Sequence, residues 1–435
     1  MMTFVSSSKT HQLKEKLLNT NFIMKHILFF GLRTLFILAI VSSCKSEPTE
    51  TITFITAPTE ANSSEPNLHK ADDGTIYLSW IKTNADKSST LSFSTLKDDN
   101  SWSTPKTIAN GTGWFVNWAD FPSITSFGDN GLAAHYLDKS ADDTYAYNVK
   151  VTLSNDNGNT WETAFIPHTD NTNTEHGFVS KVATNDGNFL TVWLDGRQMA
   201  YAEKDSTITK EMTIRSAIID KNGTLLNESL LDSRVCDCCQ TDTAMTKNGA
   251  IVVYRDRSEE EIRDIYYVRQ IDNKWTEPKP IYNDNWLIAG CPVNGAAVST
   301  KENIVAVVWF TMANDIPKVK VSFSKDNGET FAIPINIGDI DPMGRVDIEV
   351  LEDGSALISW LDFIEDNTVI LLQKVGADGT LSELITLTES SKSRSSGFPR
   401  MVLKNDKAYL TWTNVGEENL SIKTAVVHTS NLNLF

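Results

Sequence analysis

The chain is poor in positive charge and contains no long amphipathic helical pattern. Its 39 lysines and arginines are outnumbered by 56 aspartates and glutamates, and no arginine occurs between Cys44 and Arg197. A chain with a net charge of −17 repels polyanions, so nucleic acid is excluded as a partner. Because apolar residues do not recur with a helical period, the sequence also excludes a helical bundle.

Long hydrophobic runs are missing as well, except near the N-terminus. Residues 27–40 are almost wholly apolar but are broken by Arg33, and the run is shorter than the about 20 residues of a membrane span. The run follows Met24 and ends in VSSC at Cys44, which resembles the lipobox of bacterial lipoproteins. The alternative is an ordinary secretion signal with a chance cysteine.

The lipobox resemblance predicts the domain organisation and the location. Residues 1–43 form the signal region with Met24 as the true start, residues 44–50 form the lipidated Cys44 and a polar tether, and residues 51–435 form the folded domain. We therefore expect an extracytoplasmic protein of the bacterial cell envelope, lipid-anchored at the outer membrane or the cell surface.

The folded domain repeats one short strand pattern seven times. Each copy is an apolar run that ends in an aromatic residue and follows a turn rich in Asp, Asn and Gly. The aromatic residues lie 51 to 61 positions apart: Trp80, Tyr136, Trp193, Tyr254, Trp309, Trp360 and Trp412. Short strands at a fixed period are typical of a β-propeller in which each repeat is one four-stranded blade.

We therefore predict an all-β propeller of seven four-stranded blades, with six blades as the alternative. The seventh repeat ends soon after its third strand, whereas residues 51–55 form an extra strand at the start of the domain. This N-terminal strand is expected to complete the last blade and close the ring.

Two turns carry a recognisable motif. The segments SNDNGNTW at Ser154 and SKDNGETF at Ser324 both match S-x-D-x-G-x-T-(W/F). This motif resembles the Asp-box of the sialidase-like, or BNR, propellers. The Asp-box is structural in that family, because its Asp and Ser side chains bond local backbone amides and its glycine adopts a positive φ. The motif therefore supports the fold and does not mark a site.

Blade geometry sorts the remaining candidates onto one face. The DG-type turns and the Asp-boxes occupy one face, and the connections between blades occupy the other, so a glycan or another small ligand is expected at the axial mouth on that second face. The predicted ligand-face residues are Trp118, Glu175, His176, Arg257 and Asn294. Several have a purely structural alternative, such as a hydrogen-bonded core histidine at His176.

The family resemblance implies a glycoside hydrolase that acts on terminal sialic acids. Sialidases clamp the substrate carboxylate with three arginines, and they use a Tyr–Glu pair as nucleophile and an Asp as acid/base. The clamp residues would be Arg255, Arg345 and Arg400, and the other catalytic candidates are Asp120, Asp195 and Arg197. No Tyr–Glu pair is assigned from the sequence, and a non-catalytic glycan-binding protein is the alternative to an enzyme. The aspartates and arginines could also form structural ion pairs.

Four cysteines suggest a further class of site. Cys236, Cys238 and Cys239 lie in the CDCCQTD stretch, and Cys291 precedes the next inner strand. Exported thiols usually end as disulfides. The alternatives are one disulfide with two spare thiols, two disulfides, or a thiolate site for copper or zinc with His176 and Asp237 nearby. The last alternative predicts a non-hydrolytic propeller with a metal or redox site at the axial mouth.

Overall fold

A computed structural model describes residues 51–338 and 340–435. The signal region, Cys44 and the tether lie outside the described residues, so the lipoprotein and location predictions stay predictions. Within the described ranges, no helix combines the length and the apolar character needed to cross a bilayer.

The described strands form seven antiparallel sheets, and each sheet is one blade of a propeller. Blades one and two contain β2 (Ser63–Lys70), β3 (Ile76–Thr83), β4 (Ser89–Thr95), β5 (Lys106–Gly111), and then β6 (Ile124–Phe127), β7 (Gly131–Lys139) and β8 (Tyr147–Ser154). Blades three and four contain β9 (His176–Ala183), β10 (Phe189–Asp195), β11 (Thr213–Ile219), β12 (Leu225–Asp232), and then β13 (Asp242–Thr246), β14 (Gly249–Arg255), β15 (Ile265–Ile271), β16 (Lys274–Trp275) and β17 (Lys279–Pro280).

Three further blades complete the ring. Blades five and six contain β18 (Ala297–Lys301), β19 (Ile304–Thr311), β20 (Lys318–Ser324), β21 (Ile335–Gly338), and then β22 (Pro342–Val350), β23 (Ala356–Ile364), β24 (Asn367–Val375) and β25 (Ile385–Glu389). Blade seven contains β26 (Arg400–Lys404), β27 (Lys407–Val415) and β28 (Leu420–His428), and β1 (Ile52–Ile55) pairs antiparallel with β28 as its outer strand. A short helix, α1 (Arg197–Ala202), follows β10.

The inner strands contact one another in ring order. Contacts run from β2 through β6, β9, β13, β18, β22 and β26, and β26 returns to β2. The prediction of a seven-bladed propeller is therefore confirmed. Blade two has three strands in its sheet, and an isolated antiparallel bridge between Val151 and Phe165 stands where its fourth strand would pair.

The second strand of each blade is the repeated apolar run of the sequence. This strand has neighbours on both edges and a blade against each face, so its side chains are buried on both sides. Trp193, Trp309 and Trp360 each expose 1% or less of their surface. Burial of these aromatic side chains, together with the aliphatic residues around them, stabilises the packing of each blade against its neighbours.

The two S-x-D-x-G-x-T turns have nearly the same geometry. In the first, Ser154 Oγ accepts a hydrogen bond from the amide of Gly158 at 2.8 Å, and Asp156 Oδ1 accepts one from the amide of Thr160 at 2.9 Å. The hydrogen bonds that Asp156 accepts from the amide and the hydroxyl of Thr160 lower the pKa of Asp156 to about 2. Gly158 has φ of +75°, which a side chain would disfavour. The turns follow the third strand of their blades, and they lie on the face opposite the connections between blades.

Candidate functional site

A cavity of about 470 Å³ opens on the face formed by the connections between blades. This volume falls within the about 300 to 1,000 Å³ of typical ligand pockets. Most lining residues come from connections that enter blades two, three, four, five and seven, and the others come from β8, β9 and the β7–β8 loop. The full lining is Phe115, Asn117, Trp118, Ala119, Tyr145, Tyr147, Glu175, Phe178, Asp237, Cys238, Cys291, Val293 and Arg394. The structure thus brings together four of the predicted residues, namely Trp118, Glu175, Cys238 and Cys291.

Aromatic rings form one side of this pocket. The ring of Trp118 stacks on Phe398 with 5.9 Å between ring centroids, and the guanidinium of Arg345 lies 4.7 Å from the Trp118 ring centroid. Tyr145 is 58% exposed and packs edge-on against Phe115. Rigid aromatic faces of this kind bind the apolar faces of sugar rings, and little side-chain entropy is lost when the ligand binds.

The polar centre of the pocket is a hydrogen-bonded Tyr–Glu pair. The hydroxyl of Tyr147 donates to Glu175 Oε1 at 2.7 Å, and Asp120 Oδ2 lies 3.4 Å from the same hydroxyl. Gly177 permits this approach, because a Cβ there would lie 2.1 Å from Asp120 Oδ2. Tyr147 lies at the floor of the pocket but has no exposed surface, since Phe115 stacks on its ring at 4.1 Å. Glu175, which is partly exposed, is therefore the member of the pair that faces a ligand.

Burial shifts the proton affinity of all three groups. Desolvation raises the pKa of Glu175 to about 7, although the hydrogen bond from Tyr147 partly opposes the shift. Desolvation also raises the pKa of Asp120 and of Tyr147 well above their ordinary values. Near neutral pH, Glu175 therefore exchanges a proton readily, while Tyr147 keeps its own.

A second carboxyl, Asp237, faces the same pocket. Burial raises its pKa, and the positive charges of Arg257 and Arg263 partly oppose that shift. Among the described residues, Asp237 Oδ1 makes no hydrogen bond, and its ion pair with Arg257 spans 3.8 Å. Glu175 and Asp237 line the same pocket, and the charge of Asp237 contributes to the raised pKa of Glu175.

Positive φ angles occur at two residues that line this pocket and at one residue behind it. Phe178, Val293 and Arg345 have φ values of 52°, 51° and 55°, a region that bulky L-residues rarely adopt. The carboxylate of Asp120 accepts a 2.7 Å hydrogen bond from the amide of Phe178 and so fixes one of these conformations. Strained positions of this kind cluster at functional sites, where they hold side chains in a set geometry.

The cysteines adopt one of the three arrangements considered above. Cys238 and Cys291 form a disulfide, here called the wall bridge, between two loops that line the pocket. Cys236 and Cys239 are free thiols, here called the buried dithiol, with 3.4 Å between their sulfur atoms. The hydrogen bond from Cys239 and the charge of Arg263 lower the pKa of Cys236 to about 6.

These pairings limit the predicted metal site. With the wall bridge formed, only the buried dithiol could supply thiolates to copper or zinc, and the metal prediction stays a prediction. His176 belongs to a separate buried group with His168 and Asp170, in which His176 Nε2 lies 3.2 Å from Asp170 Oδ2. The ring of His168 stacks on that of His176 at 3.7 Å.

Asp195 and Arg197 complete that histidine group and do not line the pocket. Arg197 makes two 2.7 Å hydrogen bonds to the carboxylate of Asp195, which also accepts a 2.7 Å bond from the indole of Trp193. Burial lowers the pKa of His176, but the hydrogen bond to Asp170 and the charge of Asp195 outweigh it, so the net shift is upward. The group satisfies its own charges, and it supports the loop that carries Glu175.

The three arginines expected to clamp a carboxylate have different partners. The guanidinium of Arg255 is buried and donates to the carbonyl oxygens of Arg263, Asn294 and Phe310. Arg345 donates to Ser396 Oγ at 2.6 Å behind Trp118.

Arg400 lies 3.3 Å from Asp347 in a separate cavity of about 240 Å³ lined by the inner strands. Asn294 Oδ1 accepts a hydrogen bond from the backbone amide of Arg345. Arg257 Nη2 donates to Glu261 Oε1 at 2.6 Å. None of these predicted residues lines the pocket that contains Glu175. Among the residues that the structure describes, the arginine that lines it is Arg394.

The sequence analysis missed Tyr147 and Arg394, and it considered Asp237 only as a neighbour of a metal site. Tyr147 begins β8 and follows a loop on the same face as Glu175, so the repeat register held the signal that could have found it. Arg394 lies in a serine-rich loop, where the sequence offers no comparable signal.

Comparison with known proteins supports the fold. No protein-family model and no curated protein sequence matches the chain. A protein of unknown function from Dyadobacter fermentans DSM 18053 superposes with a TM-score of 0.52 at 14% identity, over 87% of this chain and 98% of that one. The polysaccharide lyase Uly1 superposes with a TM-score of 0.50 at 8% identity, over 89% of this chain and 94% of that one. At such identities the similarity shows the propeller fold alone.

Proposed function

We propose that the protein is a glycoside hydrolase whose active site is the pocket between Glu175 and Asp237. The observation that carries this proposal is the pair of carboxyls with raised pKa values in a strained, aromatic-lined cavity. Most glycoside hydrolases use one carboxyl as an acid and a second as a carboxylate, and we assign that scheme here in place of the tyrosine nucleophile of sialidases. A propeller fold shared with a polysaccharide lyase is consistent with a glycan ligand.

Glu175 is assigned as the general acid. Its pKa of about 7 keeps it protonated in mildly acidic solution, and its Oε1 atom is already held by Tyr147. Its other oxygen is free to protonate the leaving glycosidic oxygen. Asp237, as the carboxylate, stabilises the developing positive charge at the anomeric carbon or activates the attacking water. Trp118 provides the platform for the sugar ring.

The substrate proposed is a terminal α-sialoside, as the sialidase resemblance implies. The sugar carboxylate would meet Arg394, since the guanidinium groups of Arg255, Arg345 and Arg400 have other partners. A single arginine at the sugar carboxylate differs from the three-arginine clamp of sialidases, and it predicts that the substrate binds more weakly in the ground state than it does to such a clamp. The test is turnover of 4-methylumbelliferyl α-sialoside between pH 4 and 8, with the corresponding α-L-arabinofuranoside as a neutral comparison. Absence of sialoside turnover across that range would rule out the proposed substrate.

Replacing Arg394 by Ala should raise KM for the sialoside about 10-fold or more, with little change in kcat, because a charge-assisted hydrogen bond to the substrate is lost. The control is Lys392→Ala, since Lys392 lies in the same loop with its ammonium 3.1 Å from the ring centroid of Phe363. Steady-state kinetics of both variants measure the change in KM. Equal KM values for wild type and the Arg394 variant would show that Arg394 does not bind the carboxylate.

Replacing Tyr147 by Phe should shift the pH profile. The hydrogen bond from Tyr147 lowers the pKa of Glu175, so its loss should raise that pKa above about 7. A general acid is active below its pKa, so the alkaline limb of kcat/KM should move to higher pH. The rate at the optimum should fall by about 3- to 10-fold. Loss of all activity in this variant would instead make Tyr147 the nucleophile.

A further inference from the structure

The buried dithiol lies beside a positive charge and beside the wall bridge. Cys236 and Cys239 expose only 1% and 2% of their surface, and Arg263 Nη1 donates to Cys236 Sγ at 3.2 Å. The side chain of Arg263 is itself only 5% exposed. A buried guanidinium in contact with a sulfur atom stabilises the thiolate, which is the form of cysteine that attacks disulfides.

The wall bridge is within reach of that thiolate. The sulfur atoms of Cys236, Cys238 and Cys239 all lie within 4.8 Å of one another, and Cys238 is bonded to Cys291. Cys291 is exposed at the rim of the pocket, whereas Cys238 is half-buried. A nucleophile, a disulfide and a second thiol are therefore assembled at one place in the chain.

We propose that the buried dithiol and the wall bridge form an intramolecular thiol–disulfide exchange centre, in which the two cysteine pairs share one disulfide. In the first step the Cys236 thiolate attacks Cys238 Sγ, the Cys238–Cys291 bond breaks, and Cys291 leaves as a thiolate. In the second step Cys239 loses its proton to solvent and attacks Cys236 Sγ. Cys238 then leaves as a thiolate, and the two released thiolates equilibrate with solvent protons.

The exchange conserves atoms and electrons. One disulfide and two thiols are present before and after, so no external oxidant or reductant is consumed. The consequence is mechanical: in the exchanged form no covalent link joins the loop of Asp237 to the loop of Val293, and both loops line the pocket. The exposed thiol of Cys291 also becomes available to small disulfides. The redox state of the dithiol would therefore control how firmly this pocket wall is held.

Peptide mapping of the full chain tests the proposal. Purified protein in which two of the four propeller cysteines are free thiols is incubated in glutathione buffers at pH 7 to 9, quenched with acid, labelled with N-ethylmaleimide and digested with trypsin. Cleavage after Arg234 and Lys247 yields one peptide with all three clustered cysteines, and Cys291 lies on another. The bridged form yields the two peptides cross-linked with two labels on the first. The exchanged form yields them separate, with one label on each.

In the wild type we expect both the bridged and the exchanged form, each at roughly a tenth or more of the molecules that keep two propeller thiols. The ratio of the two forms should be the same whether the incubation starts from the bridged or from the exchanged form. Cys236→Ser should yield only the cross-linked form, because the attacking thiolate is absent. The wild-type mapping needs no variant, so the test stands even if that variant fails to fold. Wild-type protein that retains two thiols and yields only cross-linked peptides in every buffer would overturn the proposal.

Discussion

Replacing Glu175 by Gln is expected to lower kcat/KM for a sialyl-oligosaccharide by about 10²- to 10⁴-fold, the usual contribution of a general acid. The amide keeps the size of the side chain and the bond from Tyr147, but it has no proton to give to the leaving oxygen. An aryl leaving group departs with less need of a proton, so the loss for the 4-methylumbelliferyl sialoside should be smaller. Kinetics on both substrates measure this difference.

The control for Glu175 is Glu261→Gln. Glu261 is another partly buried carboxylate of this face, but it pairs with Arg257 and Arg263 and does not line the pocket. Its replacement should change kcat/KM by about 2-fold or less, because no contact to the ligand is lost. If the two variants lose activity equally, or if the loss is the same for both leaving groups, Glu175 is not the acid.

Arg255→Met should destabilise the protein by about 3 to 5 kcal/mol, because three buried carbonyl groups lose their donors at once. Arg255 is 2% exposed, donates to the carbonyls of Arg263, Asn294 and Phe310, and packs its guanidinium 4.9 Å from the ring centroid of Trp286. Methionine fills much of the same volume, so the lost hydrogen bonds dominate. The midpoint of urea-induced unfolding measures the change.

The matched control is Arg257→Met, two positions along the chain. Arg257 is about a quarter exposed and pairs with Glu261, so its loss should cost about 1 kcal/mol or less. The comparison also separates a structural from a binding role for Arg255. If Arg255→Met unfolds like the wild type but loses sialoside turnover, Arg255 belongs to a carboxylate clamp as the sequence suggested.

The architecture was predictable because each blade repeats the same local requirements. The apolar run that ends at Trp193, Trp309 or Trp360 must be buried on both faces, and Asp/Asn/Gly turns must precede it, so the period is visible in the chain. The same reasoning predicted that the connections with Trp118 and Glu175 share a face. These conclusions depend on strand order and backbone position alone.

The side-chain partners in the site were not predictable in the same way. Arg255, Arg345 and Arg400 enter the ring at similar places, yet their guanidinium groups bind backbone carbonyls, a serine hydroxyl and a carboxylate in three different surroundings. The Tyr147–Glu175 bond joins residues 28 positions apart in neighbouring blades. Which groups meet depends on loop paths and on the bulges near Phe178 and Arg345, and the sequence pattern does not mark where those bulges lie.

The central claim is that a glycan binds between Glu175 and Asp237, and a crystal structure of the Glu175→Gln variant soaked with sialyl-lactose tests it most directly. The predicted result is a sialic acid ring against Trp118, with its carboxylate on Arg394 and its glycosidic oxygen about 3 Å from the side chain at position 175. Sugar in the axial cavity beside Lys181 and Asp347, or on the opposite face, would contradict the account.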